Sequence, residues 1–105
     1  MNKSICVIGA GYWGKNHIKT LRQLNALGGV AELNNDILSH LANQYPKIQL
    51  HQSIEDALFE DYDGYIIATP AVTHYKIAKK VIKAGKNVLI EKPLTLSIHE
   101  AEDLV

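Results

Sequence analysis

The amino-acid sequence predicts an α/β fold, a doubly wound parallel sheet of about five strands in the order 3-2-1-4-5. Short β-rich apolar runs alternate with amphipathic helical patterns, as is typical of βαβ units whose sheet is covered on both faces. The chain has 105 residues, enough for one domain with a modest core. A cluster of glycines also separates the first apolar run from the first helical pattern.

The predicted elements follow one another without repeats, low-complexity tracts or linker-like segments. Strands are predicted at 5–8, 29–33, 48–51, 65–68 and 87–90, and the main helices at 13–27 and 73–84. Asn34 or Asn35 can cap a second helix, and Ser53 with Asp56 has the spacing of a capping box that opens a short third one. Gly85 is expected to end the helix before the last strand.

The end of the chain predicts one more helix. Ser97 and Glu100 have capping-box spacing and are followed by an apolar stripe, but no glycine, proline or basic last turn ends the pattern. We therefore expect these 105 residues to be a dinucleotide-binding domain, truncated at its C-terminal end, of a longer protein.

Composition excludes several classes of function. Lys plus Arg equals Asp plus Glu at 11 each, so we expect no nucleic-acid partner and no anionic membrane surface. No apolar run reaches the length of a membrane span. The single cysteine, Cys6, fits a reducing compartment, and we expect a cytoplasmic protein. The five histidines and Cys6 show no metal-ligand spacing, so no metal site is expected.

The glycine cluster carries the first functional signal. Gly9-Ala-Gly11-Tyr-Trp-Gly14 matches the pattern G-x-G-x-x-G between a predicted strand and a predicted helix. In a dinucleotide site the first glycine permits the tight turn, the second admits the pyrophosphate and the third lets helix and strand pack closely. The N-terminus of the helix then offers N–H groups to the phosphates. This context predicts a Rossmann-type fold that binds a dinucleotide.

Glu32 selects among the dinucleotides. It follows the second predicted strand, 18 residues after Gly14, where a carboxylate can accept hydrogen bonds from the adenosine ribose and would repel a 2′-phosphate. The stretch after it, LNNDILSH, contains no Arg or Lys that could bind such a phosphate. The sequence therefore favours NAD over NADP.

Two further strand ends contribute unusual residues. The fourth predicted strand runs into Thr69-Pro70 and the fifth into Lys92-Pro93. In the expected strand order these ends lie beside the first strand, at the switch point where ligands bind in open α/β sheets. Lys92 would then project toward the reactive end of a bound nicotinamide, in a direction restricted by Pro93.

The segments VIGAGYWGKNH, IIATPAVTHY and VLIEKPLTLSIHEAEDLV together resemble the N-terminal domain of the Gfo/Idh/MocA oxidoreductase family, most closely its sugar-nucleotide branch of UDP-N-acetyl-hexosamine 3-dehydrogenases. The resemblance implies that the pyrophosphate is held by Gly9, Gly11, Gly14 and the backbone of Tyr12 and Trp13. It places the adenosine ribose on Glu32, where the family more often has Asp. It places Thr69, Pro70 and His74 beside the nicotinamide half, and Glu91, Lys92 and Pro93 at the reacting centre, with a Lys92–Pro93 peptide bond that is cis.

The resemblance also implies an activity. Hydride would pass between a secondary hydroxyl carbon of a sugar and the nicotinamide, with Lys92 as the catalytic group that hydrogen-bonds the hydroxyl oxygen. A second α/β domain, absent from these 105 residues, would supply the sugar pocket and the proton acceptor. We therefore expect this chain to bind NAD weakly, to catalyse nothing alone and, in the whole protein, to form a homo-oligomer.

Two other functions are compatible with the sequence. A non-catalytic NAD sensor or interaction module would share the fold and the cofactor. A methyltransferase that binds adenosylmethionine also has a glycine-rich first loop and an acid after its second strand, but its loop usually lacks the third glycine, and it has no counterpart of Glu91-Lys92-Pro93.

Overall fold

The computed structural model describes residues 4–90, and within that range the chain folds as a layered α/β structure. The strands are β1 (Ile5–Ile8), β2 (Leu27–Ala31), β3 (Gln49–His51), β4 (Gly64–Ile67) and β5 (Val88–Ile90). The helices are α1 (Tyr12–Gln23), α2 (Asn35–Gln44), α3 (Ile54–Phe59) and α4 (His74–Lys83), and a short 3₁₀ turn (Ala71–Thr73) precedes α4. The predicted alternation of strands and helices is confirmed.

The five strands form one parallel sheet in the order β3-β2-β1-β4-β5, as predicted. Ile8 at the end of β1 pairs with Ala31 of β2 on one side and with Ile67 of β4 on the other. The three central strands therefore end at the same level. The residues that follow them emerge together at the switch point of the sheet, between strands whose connections leave in opposite directions.

Side chains of the central strands alternate between two cores, one on each face of the sheet. Cys6 and Ile8 of β1 belong to the core under α3 and α4, whereas Val7 between them belongs to the core under α1 and α2. All three are at most 1% exposed. Burial raises the pKa of the Cys6 thiol to about 12, so this cysteine packs as an apolar residue.

The end of α1 differs from the sequence prediction. The helix ends at Gln23 rather than near Leu27, and β2 spans Leu27–Ala31 rather than 29–33. The cause is Asn25, which adopts a left-handed φ of 59°. Its N–H bonds the Arg22 carbonyl and the Ala26 N–H bonds the Leu21 carbonyl, a Schellman motif that ends a helix as glycine usually does.

The predicted caps of the other helices are confirmed. The Asn34 side chain accepts hydrogen bonds from the N–H groups of Asp36 and Ile37 at the start of α2. The Ser53 hydroxyl accepts one from the Asp56 N–H at the start of α3. Gly85, with φ of 75°, follows the end of α4, as the sequence predicts.

Candidate functional site

A cleft of about 300 Å³ opens at the carboxyl ends of the central strands. Its floor is formed by Ile8 and Ala31, and its walls come from the segments that follow β1, β2, β3 and β4. The sequence-predicted residues Gly9, Gly11, Glu32, Thr69 and Pro70 all line it. The structure thus brings together residues that are up to 61 positions apart in the chain, in the place that the parallel order predicts.

The turn after β1 and the first turn of α1 each have one position that only glycine fits. Gly9 has φ of +97°, and a Cβ atom there would lie 2.8 Å from Cγ2 of Thr69. A Cβ atom on Gly14 would lie 2.0 Å from the carbonyl oxygen of Gly9, because the first turn of α1 packs directly on the turn. These two glycines are therefore required by the fold itself.

Gly11 differs from both. It is exposed, its φ of −74° suits any residue, and a Cβ atom there would meet nothing within 4 Å. It is the N-cap residue of α1 and, being glycine, has no side chain that could cap that helix. Nothing in the described part of the chain requires glycine here, so the open space beside Gly11 and the uncapped helix N-terminus fit an anionic group of a ligand, such as a pyrophosphate.

Glu32 follows β2 directly, and its carboxylate is fixed by two backbone N–H groups. Oε1 accepts a hydrogen bond of 2.8 Å from the Ala10 N–H, and Oε2 accepts one of 2.9 Å from the Asn34 N–H. The side chain therefore bridges the glycine turn and the start of α2. Each carboxylate oxygen has a second lone pair, so Glu32 can still accept hydrogen bonds from a ribose diol at the cleft.

The segment after β4 is ordered by its own hydrogen bonds. The Thr73 hydroxyl lies 2.6 Å from both the Thr69 hydroxyl and the Pro70 carbonyl oxygen. His74 is only 2% exposed, and its Nε2 lies 2.8 Å from the Thr69 carbonyl oxygen. Because a carbonyl can only accept, Nε2 carries the proton. His74 thus supports the turn from below, whereas Thr69 and Pro70 form the surface at the cleft.

The segment after β3 contributes residues that the sequence prediction missed. Gln52, Ser53 and Ile54 line the cleft together with Leu33 and Ile37. Leu33 is 76% exposed, a high value for a large apolar side chain, and it lies on the rim of the cleft. The signal in the sequence that could have found Gln52 is its position directly after β3, because ligands bind at the carboxyl ends of the strands in such sheets.

Glu91, Lys92 and Pro93, with the expected cis bond between the last two, lie outside the described residues, as does the helix predicted after Ser97. Within residues 4–90, no three His, Cys, Asp or Glu side chains come close enough together to hold a metal ion. In the same range, no helix combines the length and apolar character that a membrane crossing needs.

A protein-family model, described as an oxidoreductase family with an NAD-binding Rossmann fold, matches residues 3–105. The chain belongs to this family, Gfo/Idh/MocA. It is an NAD-binding Rossmann domain, and the strand order and the cleft described above are those that such a domain requires. The open position at Gly11 and the carboxylate of Glu32 fit the pyrophosphate and the adenosine ribose of NAD.

Two relatives whose names state an activity are dehydrogenases. The chain is 34% identical to the UDP-N-acetylglucosamine 3-dehydrogenase of Acidithiobacillus ferrooxidans over 99 residues, which are 94% of this chain and 31% of that protein. It is 37% identical to an inositol 2-dehydrogenase of Rhodococcus erythropolis in an alignment of 97 positions, gaps included, that covers 87% of this chain and 28% of that protein.

A solved structure has the same fold as this chain. A protein from gentamicin A biosynthesis, crystallised in complex with NAD, superimposes with a TM-score of 0.88 at 33% identity, covering 98% of this chain and 30% of that one. The chain thus spans less than a third of the length of each of these three proteins.

Proposed function

We propose that this chain is the cofactor-binding part of a dehydrogenase that transfers hydride between NAD and a secondary hydroxyl of a sugar or sugar nucleotide. The observation that carries the proposal is that the open Gly11 position and Glu32, whose carboxylate is fixed by the Ala10 N–H, line the same cleft. The sugar is proposed because a similar protein is a UDP-N-acetylglucosamine 3-dehydrogenase and another is an inositol 2-dehydrogenase.

The cofactor would extend along the cleft from α2 to the end of β4. Its pyrophosphate would lie against Gly11, bound by the backbone N–H groups of Tyr12, Trp13 and Gly14 at the start of α1. Glu32 would accept the ribose hydroxyls while remaining fixed by the N–H groups of Ala10 and Asn34. Because no cation lies in the described stretch 33–37, nothing there would compensate a 2′-phosphate, and NAD is preferred over NADP.

The reacting end of the site would lie beyond Thr69 and Pro70. When bound, NAD supplies the hydride acceptor. His74 holds the Thr69 carbonyl and so fixes the wall against which the nicotinamide would rest. Lys92, between Glu91 and Pro93, would donate a hydrogen bond to the sugar hydroxyl oxygen, which lowers the cost of removing that hydroxyl's proton as hydride leaves the carbon.

We further propose that the protein acts in the cytoplasm as a homo-oligomer, with small molecules rather than nucleic acid or membrane as its partners. The single cysteine supports a reducing compartment, and the balance of 11 basic and 11 acidic residues provides no field for a polyanion.

A chimera tests the proposed activity. Residues 1–105 would replace the corresponding part of the Acidithiobacillus ferrooxidans enzyme, to which they are 34% identical. We expect the chimera to reduce NAD with UDP-N-acetylglucosamine, and we expect Lys92→Ala to lower kcat by roughly a hundredfold or more without weakening NADH binding. A chimera that folds and binds NADH but transfers no hydride would contradict the proposal and favour a sensor of NAD.

The control in this experiment is Lys86→Ala, which makes the same substitution at a lysine that precedes β5. Lys86 lies 4.0 Å from an Asp61 carboxylate oxygen, away from the residues of the cleft. Its removal should leave kcat unchanged. Equal losses from the two substitutions would show that Lys92 has only a general effect on the domain.

A further inference from the structure

Gln52 is an amide side chain among the residues that line the cleft. It follows β3, and the residues that line the cleft with it include three with apolar side chains, Leu33, Ile37 and Ile54. Flat apolar surfaces can hold a base by stacking, but they do not distinguish one purine from another. A hydrogen-bonding group at the edge of such a slot supplies that distinction, because it leaves a wrong partner unpaired.

The orientation of this amide is fixed from outside the cleft. Gln52 Nε2 donates a hydrogen bond to Oδ1 of Asn35, the first residue of α2. Asn35 itself does not line the cleft. One hydrogen of the Gln52 N–H₂ group is donated to Asn35, which holds that group toward the start of α2 and leaves the carbonyl oxygen Oε1 available as an acceptor for a ligand.

We propose that Gln52, oriented by Asn35, is the residue by which this site selects adenine among purines, through acceptance by Oε1 of a hydrogen bond from the exocyclic amine. The proposal rests on the proposed NAD site. Asn35 acts as a positioning residue, because without its bridge the amide can turn and present Nε2 as a donor. The site would then accept a purine that carries an oxygen in place of the amine.

Nicotinamide hypoxanthine dinucleotide is the probe for this proposal. It differs from NAD in its base, where a carbonyl oxygen replaces the exocyclic amine and the adjacent ring nitrogen N1 carries a hydrogen. Against a fixed Oε1 this oxygen forms a contact between two acceptors. We therefore expect the unmodified 105-residue chain to bind NAD more tightly than the hypoxanthine analogue by roughly three- to tenfold, the range of one partly exposed hydrogen bond.

Two substitutions should remove this preference in opposite ways. Gln52→Met keeps the length and apolar contact of the side chain, and it should lower the affinity for NAD toward that for the analogue. Asn35→Ala should instead raise the affinity for the analogue toward that for NAD. Gln52→Glu keeps an acceptor at this position and should therefore retain the preference for NAD over the analogue. All affinities would be measured by calorimetry on the 105-residue chain.

Gln49→Met is the matched control, since Gln49 lies in β3, the strand that Gln52 follows, but accepts a hydrogen bond from the Tyr62 hydroxyl, away from the cleft. It should leave the ratio of the two affinities unchanged. A ratio that stays at the wild-type value in Gln52→Met, with NAD still bound, would overturn the role of Gln52 alone. Failure of the unmodified chain to bind either dinucleotide would overturn the proposed NAD site as well.

Discussion

Gly11, the N-cap of α1, and Gly14, in the first turn of that helix, lie three residues apart, yet the structure predicts opposite consequences for the same substitution. At Gly11 an added Cβ atom meets nothing within 4 Å, and the backbone φ of −74° is ordinary. We expect Gly11→Ala to change the free energy of unfolding by less than about 1 kcal/mol, since the loss of a glycine N-cap and the reduced entropy of the unfolded chain nearly cancel.

At Gly14 the added Cβ atom would lie 2.0 Å from the Gly9 carbonyl oxygen and 2.8 Å from its carbon, both backbone atoms that cannot turn aside. Relief requires α1 to move away from the turn by about 1 Å. We expect Gly14→Ala to destabilise the fold by about 3 kcal/mol or more, the upper part of the range for overpacking. For a domain of this size that lowers Tm by roughly 10 °C or more.

For cofactor binding, the substitution at Gly11 should have the direct effect that it lacks on stability. A methyl group on Gly11 enters the space assigned to the pyrophosphate, and a clash that costs about 1–3 kcal/mol weakens NADH binding by roughly 5- to 150-fold. Thermal unfolding followed by circular dichroism, and NADH titration followed by calorimetry, measure the two effects on the same samples. Unchanged NADH affinity in Gly11→Ala would refute the pyrophosphate site, and a Gly14→Ala variant as stable as Gly11→Ala would refute the packing argument.

Three further predictions concern Glu32, His74 and Cys6. The chain should bind NADH at least roughly tenfold more tightly than NADPH, and Glu32→Ala should shrink that ratio; equal affinities before mutation would exclude the ribose role. His74→Ala should cost about 2–4 kcal/mol in urea unfolding, because it leaves a cavity and unpairs the Thr69 carbonyl, and a loss below about 0.5 kcal/mol would contradict this support. Burial raises the pKa of Cys6 from about 9 to about 12, so the folded state holds a proton that the unfolded state releases. Stability should therefore be complete below pH 9 and fall by about 1.4 kcal/mol per pH unit above it. Urea unfolding between pH 8 and 10 checks this, and a Cys6→Ala variant with the same slope would show that another group titrates.

The sequence was sufficient for the order of elements, the strand order and the glycine turn, because these depend on local periodicity and on general rules of α/β topology. It was insufficient at the end of α1. Asparagine can adopt the left-handed conformation that ends a helix, as Asn25 does here. Whether it does so depends on the packing of the residues around it, and the sequence pattern of the helix does not indicate it.

The same limit applies within the site. Residues that lie at the carboxyl ends of β1, β2 and β4 could be predicted, since parallel strands bring those ends together. The direction in which each side chain points could not be predicted. His74 faces the Thr69 carbonyl beneath the turn because of the local geometry of the segment after β4. The Gln52 amide is held by Asn35, which is 17 residues away in the sequence.

The hydrogen bonds that fix Glu32 have a consequence for how cofactor choice could evolve in this scaffold. A change toward NADP requires the loss of a carboxylate that also ties the loop at Ala10 to the segment at Asn34. A neutral replacement would remove the repulsion and, in the same step, detach two parts of the binding surface from each other. An evolutionary route to the phosphorylated cofactor would therefore need a compensating anchor for the loop before, or together with, the new cation. That requirement makes the present cofactor preference harder to reverse than a single acidic residue suggests.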